Sequence, residues 1–165
     1  MPGCDAGERV EREGPCGFAA RSPLRAVLPS RALMTVTPKL DAMGLVVTDL
    51  RASLRFYRLL GLDLPEDPGA EDHVEAVLPG GIRVMFDTVE LVRGFVPEWT
   101  APTGGHRMGL AFHCGDAAGV DAMYAKLVGA GYAGAKPPWD AFWGQRYAQV
   151  HDPDGNPVDL FAPLG

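Results

Sequence analysis

Two stretches of this chain run through the same order of events, and that duplication constrains the fold more than any other feature. In the first, a strand-like run ending at Val47 is closed by Thr48-Asp49, a helical run follows, and Gly61 stops it. In the second, Met108-Gly109-Leu110 echoes Met43-Gly44-Leu45, Asp116 ends the strand, and Gly129 and Gly131 stop the next helix. Each copy then carries a hairpin signal. The first is Pro79-Gly80-Gly81 between His73–Leu78 and Ile82–Thr88; the second is Asp152-Pro153-Asp154-Gly155-Asn156 between Gln145–His151 and Pro157–Ala162.

Side-chain periodicity supports these elements. Leu45 and Val47 fall on one side of a strand, with Ala42, Gly44 and Val46 on the other. Leu50, Leu54, Tyr57 and Leu60 recur at the spacing of an amphipathic helix, with Asp49 or Ser53 near its start; Val120, Met123, Leu127 and Val128 do so in the second copy. A short strand near Leu62 to Leu64 completes a β-α-β-β-β order, and residues 89–105, with Pro97, Pro102, Gly104 and Gly105, read as a linker. The expectation is an α+β domain over residues 36–165, built from two tandem βαβββ modules at about 38–90 and 105–165. Residues 1–35 mix Gly, Pro, Arg and Glu without period and are read either as a disordered tail or as a start placed ahead of Met34.

Composition narrows the partners. A net charge of −6 disfavours phosphate backbones and anionic lipid, so neither nucleic acid nor a membrane surface is expected. Apolar runs such as Met43 to Val47 fall far short of the ~20 residues that span a bilayer. Cys4, Cys16 and Cys114 form no CxxC pair, which points to a reducing cytoplasm and to Cys114 as an inert thiol.

Two motifs carry a family resemblance. Leu40 to Leu62 runs as hydrophobic-Asp-x-hydrophobic-Gly-Leu-Val-Val-x-Asp-Leu, then Ser-Leu-x-Phe-Tyr and Leu-Gly-Leu; Asp152 to Leu160 runs as Asp-Pro-Asp-Gly-Asn-x-hydrophobic-acidic-Leu. Their order, spacing and duplication resemble the vicinal oxygen chelate superfamily of glyoxalases, bleomycin-resistance proteins and ring-cleaving dioxygenases. The resemblance implies a curved mixed sheet forming a cup with helices outside, a small-molecule pocket on the concave face, and a homodimer. In metal-dependent relatives it implies His, Gln or Glu on the first and last strands of each module.

Here those positions are poor in donors. Seven residues before Asp49 stands Ala42; the second copy has Gly109 by the same count from Asp116, or Arg107 if the Met-Gly-Leu triplets are aligned; the last strand of the first module has Met85. Only Asp159 is a carboxylate, and a divalent ion needs about three or four protein donors, so no metal cofactor is expected. A structural partner for Asp159, such as Arg107 or Arg146, competes with ligation.

Strand parity places His73, Glu75, Arg83, Met85, Asp87, Arg107, His113, Tyr147, Gln149, Asp159 and Phe161 on the concave face. The ligand-binding candidates are Glu75, Asp87, Arg107, His113, Tyr147, Gln149 and Asp159, with Trp139 and Trp143 from an aromatic loop over Pro137 to Arg146. The two tryptophans equally fit a hydrophobic cap on the cup. His113 and His73, with Asp87, are the catalytic candidates, as acid/base groups or part of a displaced metal site.

Three functions compete. The first is a metal-independent protein that binds a small, aromatic or cationic compound. The second is a lyase, isomerase or ring-cleaving dioxygenase with a divalent metal on unusual ligands, and the third a metal-free acid/base enzyme.

Overall fold

The computed structural model describes residues 38–165, which form one compact unit; the reading of residues 1–35 lies outside them. Strand β1 (Ala42–Val47) leads into helix α1 (Leu50–Leu59), followed by β2 (His73–Val77), β3 (Arg83–Thr88) and a short helix α2 (Val89–Phe95). The second half runs β4 (Leu110–His113), α3 (Ala117–Gly129), β5 (Gly134–Ala141), β6 (Gln145–His151) and β7 (Pro157–Pro163).

The duplication is expressed as two mixed sheets. One has the order β1-β3-β2 and the other β4-β7-β6-β5, each with its first strand parallel to its last and the remaining pairs antiparallel. Both long helices start on an aspartate. Asp49 accepts from the Ala52 N–H at 2.9 Å and Asp116 from the Gly119 N–H at 2.8 Å, each satisfying an orphan donor of the first turn. Gly119 is required by a close approach, since a Cβ there would lie 2.0 Å from the Cys114 carbonyl oxygen.

Parity follows the sequence. Ala76, Val84, Phe86, Ala148, Val150, Val158, Leu160 and Ala162 are buried, with Leu54, Phe56, Tyr57, Val120 and Leu127 of the helices packed against them in one core that spans both modules. Phe56 meets Tyr132 edge-on at 4.8 Å, and Tyr57 lies 5.0 Å from Phe86. Helix α1 thereby joins the first sheet to the second module.

Three local expectations are corrected. Leu62 to Leu64 is not a strand; Pro65 and Pro68 follow it, and proline cannot donate to a ladder, so Leu64 packs into the core and the first sheet has three strands. The linker begins later than expected, because Thr88 caps α2 by accepting from the Leu91 N–H at 3.1 Å and Val92 buries its side chain. Trp139 stands on β5 rather than in a loop. The Pro137-Pro138 pair is absorbed there by a register shift between Lys136 and Trp139 on an edge strand, where missing N–H groups are tolerated.

Candidate functional site

Strand register decides which concave-face residues meet. In the second sheet His113 pairs with Phe161, Phe161 with Tyr147, and Tyr147 with Trp139, so one row of rings crosses all four strands. The contacts follow the ladder. His113 meets Phe161 edge-on at 5.3 Å, Phe161 and Tyr147 stack at 6.4 Å, and Tyr147 lies 5.2 Å from Trp139. Trp143, from the β5–β6 turn, adds edge contacts to Tyr147 at 5.5 Å and to Trp139 at 6.3 Å. Such offset and edge-on pairs are favoured by the ring quadrupoles.

A polar row runs beside the rings. Ala111 pairs with Asp159, Asp159 with Gln149, and Gln149 with Lys136. The Gln149 amide donates to Asp159 at 2.9 Å, and the Lys136 ammonium sits 3.6 Å above the Trp139 ring, a cation–π contact. Partial burial, with the Asp159 carboxylate beside it, pushes the Tyr147 hydroxyl up to about 12. Tyr147 therefore stays a neutral hydroxyl at ordinary pH. Arg146 is not the partner of Asp159: it turns to the helix side and pairs with Asp121 at 2.8 Å and Asp140 at 3.0 Å.

The first sheet presents a different, charged face. His73 Nδ1 lies 2.6 Å from Asp87 Oδ1, across the His73–Asp87 register pair, and 3.7 Å separates its Nε2 from Glu75. Arg83 binds Glu75 at 2.8 Å and also pairs with Asp41. His73, Glu75 and Asp87 are thus brought together, whereas His113 stands on the other sheet among aromatic rings. Arg107 lies in the segment before β4, outside both rows. Strand parity places Phe161, Tyr147 and His113 on this face separately but does not give the aromatic row as a unit.

The ladders also settle the alignment of the two copies. Gly44 pairs with Met85 and Ala111 with Asp159, so the modules superimpose when the N-cap residues Asp49 and Asp116 are matched. The Met-Gly-Leu triplets are out of step, and Ala42 corresponds to Gly109. The four positions to which the resemblance assigns metal ligands are then Ala42, Met85, Gly109 and Asp159. A Cβ built on Gly109 comes within 3.9 Å of Asp159 Oδ2, so that position faces the carboxylate but brings no donor to it. These residues do not fit the metal. Among the described residues no three His, Cys, Asp or Glu side chains gather as a metal-holding group.

Apart from both rows lies a cavity of about 580 Å³, lined by β1, β4 and the segment from Trp99 to Gly109. No helix among the described residues is long and apolar enough to cross a membrane.

Comparison with known proteins agrees with this architecture. The family model for the Glyoxalase/Bleomycin resistance protein/Dioxygenase superfamily matches residues 39–160. A glyoxalase/bleomycin resistance protein/dioxygenase from Nocardioides is 25% identical, with 80% of this chain and 87% of that one covered at a TM-score of 0.62. A family enzyme from Burkholderia phytofirmans PsJN is 19% identical, covering 75% and 98% at a TM-score of 0.64, and a glyoxalase-related enzyme from Fulvimarina pelagi is 23% identical, covering 76% and 88% at 0.64. The last two likenesses concern the fold alone. No curated protein matches the chain.

Proposed function

Since the chain belongs to the glyoxalase/bleomycin resistance protein/dioxygenase superfamily and three of its four ligand positions are Ala42, Met85 and Gly109, we propose that it is a small-molecule-binding member that works without the usual metal. The observation that carries the reading is the ring row His113–Phe161–Tyr147–Trp139 crossing the second sheet. A planar aromatic compound lying along this row meets a sequence of π-faces, while Asp159, Gln149 and the Tyr147 hydroxyl supply directional polar contacts at its margin. A cationic substituent on the ligand suits Asp159.

The concave face also explains why polar residues alternate with core residues on these strands: their partners are one another and the ligand rather than a dry interior. A homodimer is part of the reading. Phe142, 98% exposed at the β5–β6 turn, and Trp143 beside it offer an apolar contact for a second copy. Sedimentation of the purified protein tests this, and a monomer at micromolar concentration refutes it.

Tryptophan fluorescence titrated with bleomycin-type and flat aromatic ligands tests the principal reading. Quenching that saturates, and that persists after exhaustive chelation, is the expected result. A stoichiometric Mn, Fe, Ni or Zn ion that survives dialysis, and whose removal abolishes binding, overturns it.

The His73–Asp87 contact of 2.6 Å favours a second reading, a metal-free acid/base enzyme in which Asp87 orients the ring and Nε2 moves a proton. Loss of a measured turnover in Asp87→Ala, with ligand binding retained, would favour it over simple sequestration.

A further inference from the structure

The cavity of about 580 Å³ lies at a seam to which β1 of one sheet and the start of β4 of the other both contribute wall residues, and it is separate from the ring row. Among the described residues β1 is hydrogen-bonded only to β3, and β4 only to β7, so each contributes an edge that no described strand pairs. Met43, Leu45, Leu110 and Trp99 give the wall its apolar character. The volume is that of a drug-sized ligand site, for which a few hundred to about 1,000 Å³ is typical.

The polar groups on this wall differ in availability. Asp154 is already engaged: it accepts from the Thr48 N–H at 2.9 Å and from the Ser53 hydroxyl at 3.3 Å. Tyr57 donates its hydroxyl to Asp152 at 2.9 Å. Arg107 is different. The ion pairs of arginine among the described residues employ Arg51, Arg83 and Arg146, and Arg107 takes part in none of them. It lies on the cavity wall next to His106. Arg107 is therefore the cation on this wall that lacks an ion pair, while Asp154, satisfied by neutral donors, keeps its own negative charge there.

We infer that the seam cavity is a second ligand site, specific for a small monocarboxylate with a hydrocarbon or aryl body, whose carboxylate is held by Arg107 and whose body lies against Met43, Leu45, Leu110 and Trp99. A planar guanidinium matches a carboxylate with two parallel N–H···O bonds, and an apolar wall gains from burying the rest of the molecule. Access runs through the segment 100–109, which is exposed throughout. Gly104, at φ 107°, adopts a backbone conformation that residues with a side chain rarely reach, and Trp99, also on the wall, has Arg93 over its ring at 5.8 Å.

Calorimetric titration of the full chain with 4-phenylbutyrate and with 4-phenylbutanamide tests the site. The acid binds and the amide binds at least roughly tenfold more weakly, the worth of a charge-assisted contact. Arg107→Ala removes that preference and Arg107→Lys restores part of it; Arg107 is exposed, so the variants keep the fold. Amide shifts on adding the acid fall at Met43 to Val46 and Met108 to Leu110, and not at Tyr147 or Phe161. Equal affinity for acid and amide, an unaltered preference in Arg107→Ala, shifts centred on the ring row, or edges of β1 and β4 found paired with a second copy that excludes the acid would each overturn the inference.

Discussion

The Tyr57 hydroxyl of α1 donates to the Asp152 carboxylate at 2.9 Å, and both residues are buried, so this hydrogen bond, beside the weaker Ser53–Asp154 contact at 3.3 Å, ties the helix of the first module to the closing turn of the second. Asp152 does more than accept from Tyr57. It also accepts from the Asp154 and Asn156 N–H groups at 3.0 and 2.8 Å and from the Asn156 side chain at 2.9 Å, which shapes the turn itself. Tyr57→Phe leaves that turn intact but removes one partner of a buried charge, at a cost of about 1.5–3 kcal/mol. Urea unfolding of the two proteins measures the difference. A cost indistinguishable from zero would mean that water replaces the hydroxyl and that the tie between modules is not energetic.

Alkaline pH should attack the same contact. Burial, and then the neighbouring Asp152 charge, raise the Tyr57 hydroxyl well above its ordinary 10.0. A tyrosine whose folded value is raised contributes stability that is complete below the unfolded value and is lost as pH climbs past it, because the unfolded chain releases a proton that the native state holds. Stability should fall above pH about 10, with one group contributing at most about 1.4 kcal/mol per pH unit. Tyr147, raised to about 12, acts in the same sense over a narrower window. Tyr57→Phe should flatten the decline between pH 10 and 11, and parallel curves for the two proteins would show that Tyr57 is not its source.

The ring row should separate ligand binding from folding. Tyr147 and Trp139 are half-buried on the concave face, while the core on the opposite face is made by Ala148, Val150 and Leu160. Tyr147→Ala should weaken a flat aromatic ligand roughly threefold to tenfold, the worth of one ring contact, and lower the melting temperature only modestly. His73→Ala, on the other sheet, should leave that affinity unchanged. An equal loss in both variants would point to a ligand that lies across both sheets.

Much of this was legible in the sequence, and the remainder failed for identifiable reasons. Alternation predicts the buried sides of β2, β3, β6 and β7 because the side-chain period of a strand is strictly two, and Asp49 and Asp116 mark the helix starts as residues whose side chains satisfy first-turn donors. Leu62 to Leu64 has the apolar content of a strand, but Pro65 and Pro68 after it remove the donors that a ladder needs. Helix α2 is hidden in the sequence because Thr88 both ends a strand and, through its hydroxyl, caps the helix that follows. The cross-strand row of His113, Phe161, Tyr147 and Trp139 was not legible, since register between segments distant in sequence is set by packing. The seam cavity was invisible for the same reason.

Metal dependence gives the last prediction. Matching Asp49 with Asp116 leaves Asp159 as the only carboxylate among the ligand positions, and it is already bonded to Gln149 at 2.9 Å. One carboxylate does not hold a divalent ion firmly against water, because affinity comes from several donors in fixed geometry. Added Mn, Ni or Zn should therefore leave the melting temperature unchanged, and chelation should leave aromatic-ligand affinity unchanged. Gly109 offers the sharper test, since a side chain there begins 3.9 Å from Asp159 Oδ2. Supplying donors with Ala42→His, Met85→Glu and Gly109→His together should create a metal-dependent rise in melting temperature that the parent chain lacks, by the linkage of metal binding to folding. If the parent already shows that rise, the protein holds its metal through residues other than these four, and the reading of a metal-free cup fails.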